Sequence, residues 1–401
     1  MDIIDVLKTA TPKTYLDSAT AHRLLVETPD DGLLAALREA ANRVNRDLNG
    51  DRVSYIVNRN LNFTNICSMG CRFCGFAREK GSGEDQTFSP NEVVERLAQT
   101  PNVSEFCMQG GINPALGYPY YRELIQRVHD AFPSVHIHAF SPQEIHRMTQ
   151  LTGMTPREVL SDLIECGLGS IAGTAAEILD DRVRQTICPK KISSARWEEI
   201  VRAAHDLGMR FPATIMLGHI ETPRDHVTHL EFIRRIQRDT GGFTEFIPLP
   251  FVPYRTRLGR ECHIAEMISV AYLKRFYAVC RLFFGDLIPG LQVSWVKLGI
   301  ETAAEILDWG ASDFGGTLYE ENITRSAGGR HGVRLTVEEI RAAIATAGRR
   351  PVRRDTAYHF FDTPEPEPYS ESYGRTGGES VKALAPDARP AFGRRDHERA
   401  S

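Results

Sequence analysis

At 401 residues, the chain is long enough for two domains or for one large barrel with appendages. It is 42% hydrophobic and 25% charged, an ordinary globular composition, and its net charge of -4 gives no reason to expect a nucleic-acid partner. Its apolar runs are too short to span a membrane, the opening MDIIDVLKTATPK lacks a signal peptide's basic start and apolar core, and eight cysteines over this length are no disulfide framework.

Leu33, Leu34, Leu37, Ala41 and Val44 recur at helical spacing. They predict an amphipathic helix over 31–47, within an N-terminal helical segment spanning 1–50. Short β-rich runs then begin near Val53, Glu105, Val135, Gly169, Phe211, Thr244, Gln292 and Asp313. Helical segments lie between them, with clear start signals. Ser89-Pro90-Asn91-Glu92, Ser141-Pro142-Gln143-Glu144 and Thr155-Pro156-Arg157-Glu158 each join a capping side chain, a first-turn proline and an early acid. Eight strands alternating with helices over 51–350 predict an α/β fold, a (βα)8 TIM-type barrel of parallel strands. One more outer helix is expected from Thr336 to Arg350. From Pro351 to Ser401, prolines fall among Glu, Ser, Gly and Arg, which predicts a disordered tail.

The most informative stretch is Asn58 to Arg78, NRNLNFTNICSMGCRFCGFAR, with Cys67, Cys71 and Cys74 spaced C-x-x-x-C-x-x-C. Soft thiolates at this spacing suit an iron–sulfur cluster or zinc. On a 4Fe–4S cube, three cysteines leave one iron open to a substrate or cofactor. No second C-x-x-C is present to complete a zinc framework. The other five cysteines are scattered singly, and a reducing cytoplasm is the expected setting.

A parallel barrel collects functional groups at the C-terminal ends of its strands. Polar residues where the apolar runs stop are therefore site candidates. They are Gln109, Gly110 and Gly111 after the second run, His138 and Ser141 after the third, Thr174 and Glu177 after the fourth, and His219 and Glu221 after the fifth. Glu245, Lys297 and Asp313 belong to the last three. A charge inside a barrel strand is costly unless paired or liganded, so Glu245 and Lys297 carry the most information. A satisfied ion pair or a loop cap explains any one of them equally well.

The cysteine loop resembles the signature of the radical S-adenosylmethionine (radical SAM) enzymes, with Phe73 at the family's aromatic position beside the adenine. Longer stretches are similar to the CofH-type subunit of FO synthase: HAFSPQEI at 138–145, GTAAEILDDRVRQTICPKK at 173–191, GHIET at 218–222, TGGFTEFIPL at 240–249, SWVKLG at 294–299 and DFGGTLYEENITRSAG at 313–328. The wider family, with the same barrel, includes menaquinone-pathway futalosine enzymes. The resemblance implies a 4Fe–4S cluster on Cys67, Cys71 and Cys74. It implies SAM on the open iron, near Phe73, Gln109, Gly110, Gly111, Ser141, Thr174 and Glu177. It leaves His138, His219, Glu221, Glu245, Lys297 and Asp313 for catalysis on the substrates.

The implied enzyme is a radical SAM transferase of deazaflavin (FO) biosynthesis. It would cleave L-tyrosine between Cα and Cβ and pass the 4-hydroxybenzyl group to 5-amino-6-(D-ribitylamino)uracil. The implied partners are an electron donor such as ferredoxin or flavodoxin and a second radical SAM subunit acting on the product. Asn113, Leu217, Ser312, Tyr319 and Gly75 depart from the residues usual in the relatives. They keep open a sibling enzyme with another donor or acceptor. A non-catalytic iron–sulfur or zinc protein is the reading from a different class.

Overall fold

The apolar runs close into a parallel barrel in the structure, a computed structural model that describes residues 3–26 and 30–361. Its strands are β1 (Arg52–Ile56), β2 (Asn58–Asn62), β3 (Glu105–Gln109), β4 (His136–Ala139), β5 (Phe211–Leu217), β6 (Phe243–Pro250), β7 (Gly290–Leu291), β8 (Asp313–Gly316), β9 (Arg350–Arg354) and β10 (Phe360–Phe361). The first barrel strand is the pair β1 and β2. The former lies beside β8 and β9, the latter beside β3, which pairs with β4. On the far side β5, β6 and β7 run parallel in one sheet. The ring is completed where His138 bridges Ser170, Thr214 Oγ1 donates to the Gly173 carbonyl at 2.9 Å, and Gln292 bridges Asp313. The (βα)8 barrel is thus formed, with its fourth member reduced to a bridge at Ser170.

Ser294–Lys297, expected in the seventh strand, is not strand. The strand stops at Leu291, and Trp295–Leu298 makes one helical turn. Trp295 fixes that turn by donating Nε1–H to the Gly316 carbonyl at 2.9 Å. The helices between strands start where the capping signals stand. Ser89, Ser141, Thr155 and Thr336 each form a reciprocal capping box, as does Thr222. Each cap satisfies otherwise orphaned backbone donors and contributes about 1 kcal/mol.

Ser18–Val26 and Asp31–Asn49 pack on Val270–Phe284, a helix buried along most of its length. Ile3–Lys8 lies against Asp31–Asn49. Among the described residues, no helix is long and apolar enough to cross a membrane.

The expected start of a disordered tail at Pro351 is corrected. Residues 350–354 form β9, which runs parallel to β1 in unbroken register from Arg52–Arg350 to Ile56–Arg354. Arg354, within the expected disordered tail, is buried. Its guanidinium donates to Asp313 Oδ2 at 2.5 Å and to Glu245 Oε2 at 3.1 Å. Tyr358 hydrogen-bonds the same two carboxylates, and Thr356 Oγ1 donates to Glu105 Oε2 at 2.7 Å. The segment after 350 therefore supplies partners for acids inside the barrel. Residues 362–401 lie outside the described residues.

Candidate active site

The loop after β2 is tied down from both sides before it presents any thiol. Cys67 N–H donates to the Arg78 carbonyl at 3.2 Å, Ser68 N–H to Ile112 at 3.0 Å and Arg72 N–H to Ile187 at 2.9 Å. Arg78 Nη1 donates in turn to the carbonyls of Gly75, Phe76 and Ala77. Gly111 presses so closely that a Cβ there would meet the Ile66 carbonyl oxygen at 2.3 Å and Cys67 Cβ at 2.8 Å. Gly111 is thus required to seat the cysteine loop, and Gly110 to clear the Phe63 ring, whatever else they bind.

Cys67, Cys71 and Cys74 line one wall of a cavity of about 260 Å³ at the C-terminal mouth of the barrel. All three are free thiols. Ile112 N–H points at Cys67 Sγ at 3.3 Å, and the N–H groups of Ala77 and Phe76 face Cys74. Such N–H contacts to sulfur tune iron–sulfur centres. Burial pushes the Cys71 and Cys74 thiols up, with Lys191 opposing it at Cys71. Among the described residues, no three His, Cys, Asp or Glu side chains gather around a single ion. A cube takes one thiolate per iron, and three free thiols on one loop, with N–H groups facing Cys67 and Cys74, fit such a cluster.

The opposite wall comes from GTAAEILDDRVRQTICPKK. Ala175 and Glu177 hold left-handed backbone, with φ of 59° and 42°. Strain of this kind costs about 1–3 kcal/mol per residue and persists only when over-determined by its surroundings. Arg184 does the holding: its guanidinium donates to the carbonyls of Ala175, Ala176, Ile178 and Ile192. Glu177 is thereby turned into the cavity, where Lys191 Nζ meets its Oε1 at 2.5 Å. The same ammonium lies 5.5 Å from the Phe73 ring centroid. Thr174 Oγ1 donates to Gln109 Oε1 at 3.3 Å.

Glu144 also lines the cavity. It accepts Gly110 N–H at 2.9 Å and both the N–H and the hydroxyl of Ser141 at 2.7 Å. Burial pushes its carboxyl up to about 7 against those hydrogen bonds.

Phe73, Gln109, Gly110, Gly111, Ser141, Thr174, Glu177 and Lys297 thus gather with the three cysteines around one cavity. Five other candidates do not line it: His138, Glu245 and Asp313 stand within strands, which corrects their expected position at the rim, whereas His219 and Glu221 follow the end of β5 in a turn of their own. His138 bonds Ser170 Oγ at 2.7 Å, within β4. Glu245 and Asp313 stand early in β6 and β8, below the mouth, paired with Arg354. Glu221 folds back on its own turn, accepting the N–H groups of Gly218 and His219, and contacts His219 Nδ1 at 2.7 Å and His226 Nε2 at 2.9 Å. The hydrogen bonds of that turn offset the cost of burying the Glu221 carboxylate without a ligand. Lys191, Glu144 and Thr324 are lining residues not singled out from the sequence.

Residues 61–233 match the Radical SAM superfamily, and residues 240–367 match the CofH/MqnC C-terminal region. A 5-amino-6-(D-ribitylamino)uracil–L-tyrosine 4-hydroxyphenyl transferase of Methanothermobacter thermautotrophicus is 45% identical, over 81% of this chain and 89% of that one. The protein of the same name from Microcystis aeruginosa is 41% identical, over 89% and 98%. FO synthase of Mycobacterium tuberculosis is 44% identical over 84% of this chain, which spans 39% of that longer protein. Among solved structures, methylornithine synthase (PylB) superposes with a TM-score of 0.66 at 17% identity, over 87% of this chain and 97% of that one. That likeness shows the fold.

Proposed function

Because the chain belongs to the radical SAM superfamily, in the family of the CofH-type 4-hydroxyphenyl transferases, we propose that it uses L-tyrosine as donor and 5-amino-6-(D-ribitylamino)uracil as acceptor. The 4-hydroxybenzyl group would leave tyrosine by Cα–Cβ scission and join the uracil ring. The observation that carries this reading is the 41–45% identity to transferases of that name over most of their length.

The positions that depart from the family answer packing demands. Asn113 is buried behind the cysteine loop, bonded to Thr64 and Thr87. Leu217 is fully buried, Ser312 bonds Arg281 and the Leu291 N–H, and Tyr319 packs beneath Arg334. None of these four lines the cavity. Gly75 does, and a Cβ there would meet Ala327 Cα at 2.7 Å, so it answers a packing demand. A sibling with another donor or acceptor would be expected to differ on the cavity wall itself.

The family implies a 4Fe–4S cluster and SAM. Cys67, Cys71 and Cys74 would hold three irons. Glu177 is a buried acceptor suited to sugar hydroxyls, and Phe73 offers a flat face for a base. When bound, this cofactor pair supplies hydrogen-atom abstraction, here from the tyrosine amino group. The chain's own share is to position the reactants and exclude water. Met216, Leu249, Phe251 and Ile323 make an apolar wall for an aromatic ring. Asn62, Gln143 and Thr214 offer neutral polar partners for a polyhydroxylated uracil. We further propose a ferredoxin- or flavodoxin-type reductant. We also propose a second radical SAM unit acting on the product; this chain spans 39% of the FO synthase of Mycobacterium tuberculosis.

The test is anaerobic SAM cleavage by reconstituted enzyme, read as 5′-deoxyadenosine. Tyrosine should accelerate it several-fold. A rate indifferent to tyrosine would transfer the case to the sibling reading.

A further inference from the structure

Four charged side chains line the cavity: Glu144, Glu177, Lys191 and Lys297. Three have their partners within the protein. Glu177 and Lys191 neutralise each other at 2.5 Å, and Glu144 takes three hydrogen bonds from Gly110 and Ser141. Lys297 differs. Its ammonium has three donors, and one goes to Thr324 Oγ1 at 3.1 Å. No acid lies within ion-pair distance of it among the described residues. Glu321, the nearest acid by charge, is engaged in capping Thr324 N–H with both oxygens, at 3.0 and 3.1 Å.

A partly desolvated cation without a counter-ion is costly, and burial accordingly pulls Lys297 below the ordinary lysine value. The backbone nevertheless holds it firmly in place. It sits on the single turn Trp295–Leu298, pinned by Trp295 to Gly316 and ended by Gly299 at φ 82°. A rigid, half-satisfied cation facing a cavity is a site for an anion.

We infer that Lys297, braced by Thr324, anchors the α-carboxylate of the tyrosine donor. The inference rests on the proposed function and names the residue that selects an amino acid. The ribitylaminouracil carries no carboxylate, which leaves SAM and tyrosine as sources. Gly110, Ser141, Thr174 and Glu177, the residues assigned to SAM, come from the second, third and fourth strands. Lys297 and Thr324 come from the arc after β7 and β8, beside Ile323 of the apolar wall. The geometry therefore favours tyrosine.

The experiment compares tyrosine with tyrosinamide, which keeps the ring and amino group but lacks the negative charge. Reconstituted wild-type enzyme should bind tyrosine roughly 10- to 100-fold more tightly, the scale of a hydrogen-bonded charge pair. Lys297→Met should raise KM for tyrosine by a similar factor and abolish the discrimination. It should leave KM for SAM, KM for the uracil and cluster absorbance unchanged. Lys297→Arg should restore part of the discrimination. Thr324→Val, which removes only the brace, should raise KM for tyrosine by a smaller factor, and it stands as the test if Lys297→Met does not fold. Wild-type turnover of tyrosine with no preference over the amide would overturn the inference alone. So would a Lys297→Met effect confined to SAM. No wild-type turnover of tyrosine would overturn the substrate assignment as well.

Discussion

Replacing Arg354 by Met tests whether the segment after residue 350 is part of the barrel. In the wild type, the buried guanidinium spans Asp313 at 2.5 Å and Glu245 at 3.1 Å. Methionine preserves much of the volume and leaves two buried carboxylates without their cation. Breaking one side of a buried pair costs about 3–5 kcal/mol. For about 360 residues at about 2.1 cal/mol/K each, the unfolding entropy is about 0.76 kcal/mol/K, so Tm should fall by about 4–7 °C.

The pH dependence gives a second reading of the same change. Burial already pushes Glu245 up to about 7 from 4.5, with Arg354 opposing the rise. A carboxyl raised in the fold contributes stability while protonated, and that contribution is lost as pH rises through about 7. Removing Arg354 raises it further. The variant should therefore lose more stability at pH 8 than at pH 6, measured by calorimetry or circular dichroism against wild type. A Tm within 1 °C of wild type at pH 8, or a larger loss at pH 6, would refute the assignment.

Two other changes probe the mouth. Cys67→Ala, Cys71→Ala or Cys74→Ala should abolish cluster absorbance and SAM cleavage, whereas Cys107→Ala, Cys166→Ala and Cys262→Ala should leave both intact; a mouth variant with a full cluster would refute the ligand set. Lys191→Met removes the closest partner of Glu177 and leaves Arg184 at 3.8 Å, so KM for SAM should rise roughly 10-fold with the cluster retained, and an unchanged KM would count against the role of this pair.

What was legible in the sequence was chiefly what is local in it. The cysteines lie within eight residues, and the capping boxes within four, so spacing alone reveals them. Strand ends located Gln109 to Gly111, Ser141, Thr174 and Glu177, because a parallel barrel opens its site there. The same rule failed for Glu245. The charge is costly in a strand, as reasoned, but Glu245 is the third residue of β6 and sits near the strand's beginning. Its partner Arg354 lies 109 residues away, in a stretch expected to be a disordered tail. Glu144 looked like nothing more than the acid of a capping box, which it also is. Lys191 follows a helix and returns to Glu177 only through tertiary folding, so no strand-end rule points to it. Lys297 was found for a partly mistaken reason: its segment is a helical turn, yet the side chain does face the cavity.

The central claim is that tyrosine gives its hydroxybenzyl group to the ribitylaminouracil. The most direct measurement is anaerobic turnover of reconstituted enzyme with dithionite, SAM, the uracil and ring-labelled tyrosine, analysed by mass spectrometry. The prediction is a labelled hydroxybenzyl adduct of the uracil, accompanied by an equal amount of glyoxylate from the tyrosine backbone. SAM cleavage without loss of tyrosine, or an adduct without the label, would contradict it.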